Sequence, residues 1–134
     1  MKKQEIIDKV KSLGLPEGEY IVFGSCPLAA AGIREAGDID MLVSDKLMTE
    51  LAERGWQEVD KGKYNKPLTH EEFEAHSSWR FSAYNPSLAH LLQNADHFDG
   101  IPFASLSEVR KWKAASGRPK DLRDIALIDA HLSK

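Results

Sequence analysis

Asp38 and Asp40 stand two residues apart at the start of an apolar run, Asp38-Ile39-Asp40-Met41-Leu42-Val43. On a strand, side-chain alternation puts both carboxylates on one face, roughly 7 Å apart. Such a pair is costly unless a cation lies between them. Upstream, a second apolar run, Tyr20–Phe23, ends in Gly24-Ser25, and twelve residues separate Ser25 from Asp38. Gly24 lets a ligand approach the backbone with no side chain in the way. Ser25 offers a hydroxyl and an N–H at the start of a helix, where the dipole favours phosphate. A metal on one side and a phosphate on the other outline a nucleoside-triphosphate site. The plainer alternatives are a serine cap after a turn glycine, and aspartates that cap a helix or pair with Arg34.

A second set of chemically capable residues lies near the C-terminus. Lys113 is followed by Arg118-Pro119-Lys120-Asp121-Leu122-Arg123-Asp124-Ile125. Lys113, late in a helix, could reach phosphates as a point charge, and Arg118 and Lys120 bracket a helix–helix corner where pyrophosphate or an acceptor nucleic acid could meet them. Asp121 and Asp124 lie one turn apart at the positive end of the last helix. Asp121 is equally explained as a salt-bridge partner of Arg118 or Lys113.

These residues resemble a known family, the nucleotidyltransferases of the DNA polymerase β type. Its signature is an apolar residue, Gly, Gly or Ser, a spacer, then acid-apolar-acid; Phe23, Gly24, Ser25, Asp38, Ile39 and Asp40 match it in order. The C-terminal segment is similar to the Lys…Arg-x-Lys-Asp-x-x-Asp-apolar stretch of small bacterial members, including AbiEii-type toxins. The resemblance implies an α/β (α+β) fold, a mixed sheet flanked by helices with a helical C-terminus. It also implies transfer of a nucleoside monophosphate from an NTP to an acceptor, with Asp38 and Asp40 holding two Mg2+ ions. Gly24 and Ser25 would cradle the triphosphate, joined by Lys113, Arg118, Lys120 and Asp121. Family sites usually carry a third carboxylate that helps deprotonate the acceptor hydroxyl, and no position matches it cleanly. Glu72 and Glu74 share a face of the strand-like run His70–Ser78, and Glu74 is the choice, with a solvated outer face as the alternative. The incomplete carboxylate set and short chain motivate a second reading: a degenerate member that binds nucleotide or a protein partner without catalysis.

Composition bounds the rest. A chain of 134 residues is expected to form a single domain (1–134) with a proper core. The N-terminus lacks a secretory h-region and no run is long enough for a membrane span, so no membrane partner and a cytoplasmic protein are expected. The lone cysteine, Cys26, fits a reducing compartment and a small buried residue. A net charge of −3 argues against nonspecific coating of nucleic acid. The acceptor stays open among RNA, small molecule and protein. Little sequence remains for an accessory helical domain, so a homodimer or partner protein is one way to complete the site. The five histidines show no zinc spacing, and Trp56, Trp79, Tyr84 and Trp112 are packing residues or base-stacking candidates.

The elements that must position these groups follow from periodicity. Helices are predicted over Lys2–Leu13, Cys26–Ala36 (ended by Gly37), Asp45–Arg54 (capped by Ser44), Asn85–Ala95, Ser105–Ser116 (a Ser105/Glu108 capping box, ended by Gly117) and Pro119–Leu132. The last is expected to bury Leu122, Ile125, Ile128 and Leu132. Strands are predicted at Tyr20–Phe23, Asp38–Val43, Trp56–Val59 and Glu72–His76, with a hairpin around Asp99-Gly100 joining Asp96–Phe98 to Ile101–Ala104. The resemblance implies that the first two strands run antiparallel.

Overall fold

A computed structural model describes residues 1–62 and 66–134. Its elements are α1 (Lys3–Ser12), β1 (Tyr20–Phe23), α2 (Cys26–Ala30), β2 (Ile39–Val43), α3 (Asp45–Glu53), β3 (Gln57–Glu58), β4 (Leu68–His70), β5 (Phe73–His76), α4 (Leu88–Gln93), β6 (Asp96–Phe98), β7 (Ile101–Phe103), α5 (Leu106–Ser116) and α6 (Pro119–Leu132). The strands form one mixed sheet in the order β3-β4-β5-β2-β1-β7-β6. β1 and β2 are antiparallel, as the resemblance implied, while β2 runs parallel to β5 and β1 parallel to β7. The fold is α+β, a seven-stranded mixed sheet flanked by helices with a helical C-terminus. Among the described residues, no helix is long and apolar enough to cross a membrane.

Alternation sorts the central strands onto two cores. Tyr20 and Val22 of β1, Ile39, Met41 and Val43 of β2, and Phe73 and Ala75 of β5 join α1 and α3 on one face. Ile21, Phe23 and Leu42 turn to the other, under Leu91 of α4, Val109 and Trp112 of α5, and Ile128 of α6. Both faces of β1 are therefore buried, which explains its unbroken apolar run. Asp40 has the same parity as Leu42, and Glu74 and His76 alternate with the buried Phe73 and Ala75. The helix-covered second face thus carries all three polar groups.

Several predicted elements differ from those observed, each for a local reason. α2 stops at Ala30 rather than Ala36. Gly32 adopts φ +74, and the bonds Ile33 N–H to Leu28 O (2.9 Å) and Gly32 N–H to Ala29 O (3.0 Å) close a Schellman stop. α4 starts at Leu88, capped by the Ser87 hydroxyl, which accepts from His90 N–H at 3.1 Å. β4 was not predicted; it forms a hairpin with β5 around Glu71, which sits at φ +52. The Asp99-Gly100 hairpin has φ +53 and +79 at its two turn residues, as a type I′ turn requires. In α6 the inward stripe is Asp121, Asp124 and Ile128, whereas Leu122 and Leu132 are each 57% exposed.

The Ser105 cap forms, accepting from Glu108 N–H at 3.2 Å, but Glu108 does not close the capping box. Its buried carboxylate accepts from the Tyr84 hydroxyl at 2.7 Å and lies 2.8 Å from His90 Nε2. This latch ties the segment after β5 to α4 and α5. Burial and the contact with Glu108 push the Tyr84 hydroxyl's pKa far up. Tyr84→Phe leaves one carboxylate oxygen of Glu108 without its partner, so a loss of about 1–3 kcal/mol is expected. Urea unfolding should show a lower midpoint with an unchanged m-value.

Candidate active site

The parallel pairing of β2 with β5 places Asp40 directly beside Glu74. One ligand atom from each of Asp40, Glu74 and His76 falls within 4.8 Å of the other two. His76 Nε2 stands 3.3 Å from Asp40 Oδ1, and Lys61 forms an ion pair with Glu74 that raises the lysine's pKa. Like charges facing each other across strands are destabilising, so Lys61 and His76 offset part of the repulsion. Gly24 follows the β1 residue paired with Asp40. It adopts φ +65, and a Cβ there would lie 2.9 Å from the Asp40 Cβ and 3.0 Å from its Cγ. Glycine is required twice, by conformation and by the close approach of this carboxylate.

The facing wall comes from α5 and α6. Lys113, only 3% exposed, lies 2.9 Å from Asp124 and 3.4 Å from Asp121. Asp124 also binds Arg34 in a two-pronged contact, 2.9 Å to Nε and 2.8 Å to Nη2. Asp121 is fully buried and accepts from the Arg118 backbone N–H (3.1 Å) and Nε (2.7 Å). Burial acts to raise both aspartate pKa values. Arg118 and Lys113 at Asp121, and Arg34 and Lys113 at Asp124, override it and hold both below the usual carboxylate range.

Between the walls is a cavity of about 780 Å³. Of the residues singled out from the sequence, it brings together Ser25, Asp40, Glu74, Lys113, Arg118 and Lys120. Three others stand apart from its surface. Asp38 is exposed, one residue before β2 and outside the Asp40–Glu74–His76 group. Gly24 lies behind Asp40, and Asp121 sits beneath Lys113 and Arg118. Ser25 begins a helix of only five residues and makes no side-chain cap. Arg34, offered as a partner for the aspartates of β2, pairs with Asp124 instead.

His76, Lys61 and Arg80 were missed. His76 is within reach of the sequence, because it alternates with Glu74 on one strand, although the histidines carry no zinc-site spacing. Lys61 and Arg80 are set by tertiary packing. An aromatic cluster forms the cavity's floor: Trp79 stacks on Phe23 with centroids 4.7 Å apart and meets Trp112 edge-on at 5.0 Å. Packing thus accounts for Trp79 and Trp112, although both also line the cavity. Cys26 is buried, and desolvation together with the nearby Asp40 charge pushes its thiol up to about 12.

No protein-family model matches this chain, and no curated protein matches it in sequence. Solved structures do. The chain is similar to ANT(2'')-Ia, an aminoglycoside nucleotidyltransferase, in complex with adenylyl-2''-tobramycin. The TM-score is 0.55 at 14% identity, covering 96% of this chain and 86% of the other. The solution structure of antibiotic-resistance factor ANT(2'')-Ia gives 0.51 at 13% identity, covering 96% and 81%. At such identity the likeness establishes a shared nucleotidyltransferase fold. It lends nothing to the AbiEii-type subtype.

Two outcomes follow from this geometry. Gly24→Ala should cost at least the 1–2 kcal/mol of a left-handed alanine, with the clash against Asp40 in addition, read as a lowered thermal midpoint. Lys113→Met removes the buried partner of two aspartates and should cost about 3–5 kcal/mol at pH 7. Because Asp121 and Asp124 have depressed folded pKa values, their stabilisation is present above the ordinary carboxylate range and is lost as pH falls through the folded values. Wild-type stability should therefore decline from about pH 5 downward, and Lys113→Met should flatten that decline. Urea unfolding at pH 7 and pH 4 measures both effects.

Proposed function

We propose that this chain is a nucleotidyltransferase, a single domain over residues 1–134, that moves a nucleoside monophosphate from an NTP to the hydroxyl of a small-molecule acceptor. The observation that carries the reading is the carboxylate pair Asp40–Glu74 pressed against a glycine that admits no Cβ, opposite a wall of cations. The fold relation to ANT(2'')-Ia supports it, as does that protein's complex with a nucleotidylated small molecule.

The donor set fits magnesium. Asp40 and Glu74 supply hard carboxylate oxygens, the ligand type Mg2+ takes alongside phosphate oxygens and water. His76 is placed to orient Asp40, as partners of ligating carboxylates commonly do. Asp40 and Glu74 would hold one ion, and Asp38, at the open start of β2, would contribute to a second. The chemistry the ions supply when bound is charge neutralisation on the attacking and leaving oxygens of an in-line displacement.

The protein's own residues do the remainder. Ser25 lets the triphosphate lie against the backbone after β1, while Gly24 makes room for the Asp40 carboxylate. Lys113, with its neighbour Arg118, faces the phosphates. The acceptor oxygen forms a bond to the α-phosphorus as the bond to the α–β bridging oxygen breaks, and pyrophosphate departs with the electron pair. Glu74 receives the hydroxyl proton. Lys61 pairs with Glu74 and Asp121 and Asp124 hold Lys113 in place, so the site is preorganised before substrate arrives.

The test is the thermal midpoint with each NTP, with and without magnesium, for wild type and Asp40→Asn. A ligand at a hundred times its Kd adds about 2.7 kcal/mol, a rise of several degrees. The expected result is a magnesium-dependent rise in the wild type that is absent in the variant. Equal shifts in both proteins would sink the assignment of Asp40.

A further inference from the structure

The cavity is a positive island on a negative chain. Arg34, Lys61, Arg80, Lys113, Arg118 and Lys120 face it, against the carboxylates of Asp40, Glu74 and Asp124, while the whole chain carries −3. Those carboxylates are all engaged, Asp124 by Arg34 and Lys113, Glu74 by Lys61, and Asp40 by His76. Among the described residues, no carboxylate forms an ion pair with Arg80 or Lys120. Lys120 occupies the second position of α6, where the helix dipole already presents positive charge. A cation there is unfavourable until an anion joins it. A triphosphate with two magnesium ions is close to neutral overall, so a bound nucleotide would not use up this excess.

We propose that the acceptor is a small hydroxyl compound bearing a phosphate or carboxylate, recognised by Arg80 and Lys120; this rests on the nucleotidyl-transfer reading. A cavity of about 780 Å³ has the size of a small-molecule site. A polynucleotide track is disfavoured by pairing elsewhere in the basic C-terminal run, since Arg110 binds Asp129 and Lys111 binds Glu108. A planar guanidinium such as Arg80 suits phosphate and carboxylate alike, through paired N–H bonds. A polyamine sugar would instead set like charge against like, and such juxtaposition suppresses the wrong partner.

Isothermal titration with glucose 6-phosphate, gluconate and tobramycin tests this at low salt, with and without the magnesium complex of a non-hydrolysable ATP analogue. With nucleotide bound, at least one of the two anions should bind tenfold or more tightly than tobramycin. The gap should narrow in high salt and in Arg80→Glu. Whichever anion responds identifies the recognised group. Tobramycin binding as tightly as the better anion, or no binding by either anion, overturns the proposal. Nucleotide binding accompanied by a tobramycin preference would sink the acceptor assignment alone. An anion preference that persists in a protein unable to bind the analogue would instead sink the transfer reading.

Discussion

Two carboxylates held side by side on neighbouring parallel strands set the terms for everything around them. Asp40 and Glu74 are brought together by backbone register, not by choice of rotamer, so their repulsion is built into the sheet. The surroundings answer it with Lys61 on one carboxylate and His76 on the other. Gly24 keeps the approach to Asp40 free of side chain. The flanking aromatic floor excludes water from one side and thereby strengthens each electrostatic contact above it. Together with His76, the two carboxylates form a group that could hold a metal ion.

The cationic wall depends on an unusual helix. In α6 the side facing the protein carries Asp121 and Asp124 as well as Ile128, and leucines are left outside. This inversion is tolerable because each buried carboxylate meets more than one donor, including a backbone N–H at the helix start. The result is a chain of alternating charge, Arg34–Asp124–Lys113–Asp121–Arg118, joining the loop after α2 to both C-terminal helices. Buried ion pairs add little net stability compared with apolar packing; here they fix where a lysine points.

Much of this architecture was legible in the sequence, for physical reasons. β1, β2 and α3 announce themselves because burial, alternation and a Ser44 cap are local signals. The Asp99-Gly100 turn is equally local. What escaped was non-local. The end of α2 depended on which of two glycines, Gly32 or Gly37, takes the left-handed position. The burial of α6 was misjudged because hydrophobicity alone assigned its inner face, whereas Lys113 and Arg34, distant in sequence, decide it. At the site, Glu74 could be singled out by alternation, but its place beside Asp40 is a property of strand register. His76 required reading one more step along the same strand. Arg80 and Lys61 required the fold itself.

The short α2 has a quieter effect through Cys26, whose Sγ donates to the Asp38 carbonyl at 3.4 Å. The chain's sole sulfhydryl is thus sealed behind β2, the strand that carries Asp40, wholly inaccessible and almost entirely protonated at neutral pH. Electrophiles and peroxides that act on thiolates find no purchase there. The redox state of the surroundings consequently has no lever on the carboxylates, and any cysteine introduced at the surface would be the one reactive thiol in the molecule, addressable by a label without silencing a native one.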